Sequence, residues 1–238
     1  MSRWTPYFAA ILGVAIGAAG VFWWQGGYAP AGRARTEAIV HDYLLRHPEV
    51  IPEAMQRLQD RESGQAIAAN REAITAPVGS AWAGNPRGDV TVAEYFDYNC
   101  GYCRASLPVI AQLIAAEPNV RVVYRELPVL APSSRDAARA SVAAALQGRF
   151  ARFHDALFAG GPVTDATIAA AERAAGVDTA RAAADQPRAD AVIRADYAVQ
   201  QQLGMTGTPS WVVGDRVLTG AQTLDQLRAA VAAARGKG

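Results

Sequence analysis

Cysteine is nearly absent: the 238 residues contain two, Cys100 and Cys103, three positions apart. That scarcity excludes a fold stapled by disulfides. The one bond available would close so small a loop that chain entropy credits it with only about 2 kcal/mol, against roughly 4–5 for a long loop. Histidine is almost as scarce, and His41, His47 and His154 stand at no metal-ligand spacing from one another or from the cysteines, so a closed zinc site lacks donors. An excess of charge of one sign is missing too. The 23 basic residues, almost all arginine, are interspersed with 22 acids for a net charge of +1, which leaves no basic patch for phosphates and argues against nucleic acid. There is no internal repeat and no low-complexity tract beyond general alanine richness. What remains is 51% hydrophobic and long enough for one large globular domain with additions.

The cysteine pair sits between two readable elements. Asp89 to Phe96 is an apolar run rich in β-branched and aromatic residues, opened by Asn85-Pro86-Arg87-Gly88, which predicts a buried strand. Leu107, Ile110, Leu113 and Ile114 recur at helical spacing until Pro118-Asn119, which predicts a helix directly after it. This places Cys100 at a helix N-terminus, where unpaired N–H groups and the positive end of the dipole favour a thiolate. Cys103 lies one turn further in, as the less exposed thiol that would resolve a mixed disulfide. Half a zinc site and a pair of inert buried thiols are the competing readings. Cys-x-x-Cys at a strand-to-helix junction instead carries the thioredoxin-like redox signature.

The stretch Glu94-Tyr95-Phe96-Asp97-Tyr98-Asn99-Cys100-Gly101-Tyr102-Cys103 resembles the active-site strand and helix of the DsbA superfamily of thiol:disulfide oxidoreductases. Gly204 to Gly214, with Thr208-Pro209 inside it, resembles the loop that carries a cis-proline facing the cysteines in that superfamily; taken alone it would read as an ordinary trans proline before a strand. The resemblance implies a backbone edge at Thr208 and Pro209 that holds a substrate segment beside Cys100. It also implies no external cofactor and no metal, protein substrates with thiols or disulfides, and a membrane redox partner that recycles the pair. Glu94 matches an acidic position beneath the active site. There a poorly solvated carboxyl would have a raised pKa and relay the Cys103 proton, the alternative being a strand residue reaching water at the sheet edge. Gly101-Tyr102 lacks the histidine that stabilises the thiolate in the strongest oxidants of the superfamily. Thr208 before Pro209, together with a resemblance of the N-terminal segment to an oligomerisation extension, leans toward shuffling or reduction.

Upstream, Tyr7 to Trp24 is uncharged, apolar and closed by Phe22-Trp23-Trp24, which predicts a membrane anchor over residues 1–25. Cleavage near Ala29-Pro30-Ala31 is the alternative, although the apolar run exceeds the usual signal-peptide core. Gly13 and Gly17 form a G-x-x-x-G pair, either a dimerisation face or glycines tolerated in a membrane helix. A disulfide-handling domain with no other cysteine belongs on the oxidising side, in the periplasm or facing it from the inner membrane. Residues 26–75 read as a linker and a helical extension. Thr36 is the expected cap of one helix, and His47-Pro48 the expected start of another that fades into the polar stretch Gln59 to Arg71. Tyr43 to Ala54 resembles the N-terminal extension of ScsC-type members, where it serves oligomerisation, so a homo-oligomer is expected.

The catalytic domain is expected over 76–238. Val120 to Leu127 predicts a second strand parallel to the first. Residues 133–203 show helix starts near Ser134, Thr164, Asp178 and Pro187 and no strand pattern. Phe150, Phe153, Leu157 and Phe158 are the expected core there, with His154 read as a structural histidine, the alternative being a side chain that faces the active site. Ser210–Val213 and Arg216–Thr219 predict a hairpin around Gly214-Asp215, followed by a helix from Leu224 to Arg235. The expected fold is thus α/β: a DsbA-like thioredoxin fold with a helical insertion, preceded by a membrane helix and an α-helical extension. A different use of the same two sulfurs, Cu(I) binding in copper tolerance, rests on the preference of thiolates for that ion.

Overall fold

The computed structural model describes residues 30–236. Two compact units are distinguished, one ending at Arg57 and one beginning at Leu58. The apolar stretch from Tyr7 to Trp24, with Gly13 and Gly17, lies outside the described residues. Among those described, no helix is long and apolar enough to cross a membrane.

Helix α1 spans Pro30–Arg46 and α2 spans Val50–Ala69, the latter running on into the second unit. Both starts differ from the sequence expectation. Thr36 does not cap α1, because its hydroxyl donates back to the Gly32 carbonyl at 3.0 Å, the bond a serine or threonine makes inside a helix. Pro30 opens α1 instead, so the end of the supposed linker forms its first turn. His47-Pro48 forms the turn between the helices, with Val50 N donating to His47 O at 3.2 Å. The pairs Arg33–Glu37, Asp42–Arg46 and Glu53–Arg57 lie one helical turn apart and support the helices by a few tenths of a kcal/mol each. Ile39, Val40, Tyr43, Leu45, Ile51 and Met55 are all exposed in the single chain.

The second unit opens ahead of the expected Ala76 because the polar stretch after Gln59 continues α2. Ile67 on α2 and Ile74 on α3 (Arg71–Thr75) are buried, in a cluster with Ala93, Tyr95, Leu127, Val199 and Met205. The sheet contains β1 (Trp82–Gly84), β2 (Val90–Phe96), β3 (Val120–Glu126), β4 (Ser210–Val213) and β5 (Arg216–Thr219), in the order β1-β3-β2-β4-β5. β2 and β3 are parallel and the other pairs antiparallel, as a crossover through α4 (Gly101–Ala116) requires. β1 has three residues and no periodicity of its own; it exists as the antiparallel partner of Arg121 to Val123.

Strand alternation assigns each side chain a layer. Val90, Val92 and Phe96 of β2 join Val122 and Tyr124 of β3 against α4, whereas Ala93 and Tyr95 face the cluster behind. The insertion comprises α5 (Pro132–Leu146), α6 (Phe150–Ala159), α7 (Asp165–Ala175), α8 (Thr179–Ala184) and α9 (Gln186–Gln202). Thr164 and Asp178 cap α7 and α8 through side-chain oxygens that accept N–H groups of the first turn. Phe150, Phe153, Leu157 and Phe158 are buried against the first layer. The chain closes with α10 (Leu224–Arg235), whose Leu227 and Val231 are buried. At the β4–β5 turn Gly214 has φ +60, and a Cβ there would come within 2.8 Å of Ala234 Cβ, so a side chain fits neither the backbone nor the space.

Candidate active site

β2 delivers the chain from Phe96 into a turn fixed by one carboxylate. Asp97 is buried; its Oδ1 accepts from Asn99 N at 2.8 Å and its Oδ2 from Val129 N and Leu130 N, both at 2.9 Å. Asn99 Nδ2 then donates to Ser133 Oγ (3.1 Å) and Ser134 Oγ (2.9 Å). The turn before the cysteines is therefore bolted to the loop after β3. Asp97 was not singled out from sequence, although Asp-x-Asn ahead of a helix start is a local turn signal.

Cys100 occupies the N-cap of α4 in extended backbone, and its Sγ accepts from Cys103 N at 3.3 Å. The same Sγ donates to the Thr208 carbonyl at 3.3 Å, and the Thr208–Pro209 bond is cis. Two segments 108 residues apart thus meet at one sulfur. Both cysteines are free thiols, Cys100 at 5% and Cys103 at 1% exposure, which makes Cys103 the more enclosed. Burial, followed by the charge of Glu94, pushes the Cys103 thiol far up.

Glu94 lies inside the sheet rather than at its edge. In the registers of β2 with β3 and β4 it pairs with Tyr124 on one side and Trp211 on the other, and it is 1% exposed. Its Oε1 has no hydrogen-bond partner among the described residues. Burial, then the neighbouring Cys100, pushes its carboxyl up to about 8. His154 is held away from proton chemistry. Its ring stacks on Phe150 at 4.9 Å, its Nδ1 meets the Tyr98 hydroxyl at 3.1 Å, and burial pulls it down to about 3.

A buried thiol pair at a strand-to-helix junction, faced by a cis-proline that immediately precedes an antiparallel neighbour of the same strand, defines a thioredoxin-fold protein with a dithiol site. Residues 91–232, more than half of the chain, match the family described as DSBA-like thioredoxin domain. The chain belongs to that family. Residues 33–65 match the copper resistance protein ScsC N-terminal domain. A thioredoxin-like oxidoreductase from Silicibacter pomeroyi is 42% identical and superposes with a TM-score of 0.66, covering 70% of this chain and 98% of that one. ScsC of Proteus mirabilis in a transitional conformation is 26% identical with a TM-score of 0.66, covering 90% and 100%. A periplasmic thioredoxin-like protein of Salmonella enterica is 26% identical with a TM-score of 0.60, covering 70% and 95%. Among curated sequences, a Na(+)/H(+) antiporter, NhaA 1 of Salinispora arenicola, is 34% identical over 150 residues, which span 61% of this chain but only 23% of the antiporter.

Proposed function

We propose that the protein exchanges disulfides with protein substrates outside the cytoplasm, with Cys100 as the attacking or attacked sulfur and Cys103 as the resolving thiol. The observation that carries this reading is the placement of Cys100 Sγ, within 3.3 Å of both the Cys103 amide and the Thr208 carbonyl. The amide can hold a developing thiolate, and the backbone at Thr208 and Pro209 gives an extended substrate segment a place beside the sulfur. Glu94 takes the proton of Cys103 when that thiol must attack, because a carboxyl raised to about 8 is in its ionised form a stronger base than an ordinary carboxylate. No external cofactor enters the cycle, and a membrane redox partner resets the pair.

The test is equilibration of the protein in glutathione buffers, alongside assays on scrambled and on reduced ribonuclease. A Cys100–Cys103 couple that titrates with glutathione, with ribonuclease activity that disappears in Cys100→Ala, is the expected result; activity that survives the substitution removes the pair from the mechanism. The same assays separate shuffling from net oxidation, and the absence of histidine between the cysteines favours shuffling. A second reading, Cu(I) held between the two thiolates, is motivated by the copper-resistance description of the family that residues 33–65 match. Tight stoichiometric Cu(I) binding with no ribonuclease activity would favour it.

The N-terminal helices are assigned to self-association behind the membrane anchor. Two short helices with exposed Ile39, Tyr43, Leu45, Ile51 and Met55 cannot hide those side chains by themselves. The fragment from Arg33 onward is expected to sediment as an oligomer, and replacing Ile51 and Met55 by glutamate should return it to the monomer mass. A wild-type fragment that is strictly monomeric at all concentrations sinks this assignment.

A further inference from the structure

A second group of buried acids lies beyond the cysteine site, at the edge of β3. β1 covers that edge only as far as Val123, after which Tyr124 N donates to Ala81 O at 3.1 Å. The next outward N–H, that of Glu126, donates instead to Asp196 Oδ2 on α9 at 3.2 Å. Asp196 is buried and its other oxygen stands 3.6 Å from Arg125 Nη1. Two spaces meet at this carboxylate. A cavity of about 10 Å³ lies inward, with Tyr124, Glu126, Ser141 and Asp196 as its polar walls. A groove of about 500 Å³ lies outward, lined by Asn70, Glu72, Arg125 and Asp196 among alanines and valines.

The inward cavity matches one water, which needs two to four polar partners and finds four candidate groups there. One of its walls adjoins the carboxyl beneath the cysteines. Tyr124 is the register partner of Glu94 across β2 and β3, on the same face of the sheet. Burial, then the Glu94 charge, raises the Tyr124 phenol, so it keeps its proton and can pass one on only by accepting another. Glu126 faces Asp97, Asp196, Tyr98 and Ser141; burial holds its carboxyl well above the usual range, eased by Ser141. Asp196 faces Arg125, Tyr95 and the Glu126 amide, and burial raises it to about 7 despite the guanidinium. Of these groups Asp196 changes its protonation near neutral pH, at the point where the cavity and the groove meet.

We propose that Tyr124, Glu126 and Asp196, with one water between them, form a proton route linking Glu94 to the groove at the β3 edge. This rests on the disulfide-exchange reading above. In the resolving step Cys103 loses its proton to the Glu94 carboxylate, and its thiolate bonds to Cys100 Sγ. The bond from Cys100 to the substrate breaks, and the substrate leaves as a thiolate that takes a proton from solvent. Glu94 is then a carboxylic acid beneath a closed disulfide, and its proton leaves through Tyr124 and the water to Asp196 and so to the groove. In the opposite direction the route reloads Glu94 from solvent. Electrons pass only between sulfurs, and the proton lost by Cys103 balances the one gained by the substrate.

The test uses Glu126→Gln, Ser141→Ala and Asp196→Asn in the full chain. Single-turnover kinetics with glutathione disulfide separate formation of the Cys100 mixed disulfide from its resolution by Cys103. In Asp196→Asn and Glu126→Gln the first step should be unchanged, while resolution slows about tenfold near pH 7, less than the roughly 100-fold typical of a directly acting base. Its solvent deuterium isotope effect should grow and its pH profile should lose the contribution near 7. Resolution with wild-type rate, profile and isotope effect in folded variants overturns the route. Equal slowing of both steps, with no change in isotope effect or pH profile, also overturns it by marking the residues as structural. Should Asp196→Asn fail to fold with Arg125 left unpaired, Glu126→Gln and Ser141→Ala, which keep that ion pair, decide the matter on the same readouts. A wild-type protein that never forms the glutathione mixed disulfide refutes the exchange reading itself, an outcome distinct from an unaffected resolution step.

Discussion

Replacing Cys103 by serine should stop turnover after a single half-reaction and leave the substrate covalently attached to Cys100. The reason is the difference in enclosure between the sulfurs. Cys100 caps α4 beside the Thr208 carbonyl, whereas Cys103 lies under it at 1% exposure, with its thiol pushed up by burial and Glu94. Cys103 therefore reacts inward, on the Cys100 sulfur one helical turn away. An oriented intramolecular thiol acts at an effective concentration far above the millimolar range of free thiols, so escape by an external thiol should be slower by about 100-fold or more. Non-reducing electrophoresis and mass spectrometry after mixing the reduced variant with a disulfide-bearing substrate should show a one-to-one adduct, formed as the Cys100 thiolate attacks the substrate disulfide and releases one substrate thiolate, and discharged by dithiothreitol. The reciprocal variant, Cys100→Ser, should give no adduct, and its remaining thiol should resist alkylation until the protein is unfolded. Adducts of equal yield in both variants would mean that the sulfurs are equivalent, against the placement of Cys103 beneath the helix start.

How much of this arrangement was legible beforehand depends on the range of the interactions that set it. β2, the start of α4, the β4–β5 hairpin and α10 follow from periods and turn residues within a dozen positions, and they fall within one or two residues of the expectation. The caps at Thr164 and Asp178 are equally local. Elements stabilised from elsewhere were not legible. β1 is three residues held by β3, and the polar half of α2 continues as helix because Ile67 is buried among residues that follow it by 7 to 145 positions, and Asp60 meets Arg216 at 3.0 Å. α1 was misjudged for the opposite reason: a threonine that resembles a cap spends its hydroxyl on the preceding turn.

The interior polar groups divide in the same way. Glu94 could be singled out because it matches the superfamily's acidic position six residues before the first cysteine, although nothing local decided between burial and the sheet edge. Asp196 could not, since its partners Arg125 and the Glu126 amide lie 70 or more positions away and no spacing rule joins them. His154 was expected to be structural for want of a partner. Its partner is the Tyr98 hydroxyl, 56 positions away, and Ser141 Oγ stands 2.9 Å from the same hydroxyl. Buried polar pairs of this kind form through the meeting of the insertion with the sheet, which only the folded chain defines.

Glu94→Gln should change both chemistry and stability, and the two effects should separate with pH. The carboxyl moves from near 4.5 in an unfolded chain to about 8 in the folded one, driven first by burial. The folded protein therefore binds the proton more tightly than the unfolded one, so the stability linked to Glu94 is fully present below pH 4.5 and is lost as pH rises to about 8. The full span is on the order of 4–5 kcal/mol, a large share of the 5–15 kcal/mol that holds a typical domain. Glutamine has nothing to deprotonate, so urea denaturation of the reduced variant should give a flatter stability profile between pH 5 and 8 and a more stable protein above pH 8. Catalytically the variant should lose the acceptor for the Cys103 proton. Its resolving step should slow by about 100-fold at pH 7 while mixed-disulfide formation at Cys100 stays near wild type. Raising the pH should recover part of the rate, because hydroxide then takes the proton that Glu94 would have taken. Parallel stability profiles for the two proteins would refute the buried, protonated carboxyl. A flattened profile with an unchanged resolving rate would keep Glu94 in the core and remove it from the exchange, leaving the proton of Cys103 to depart directly to solvent.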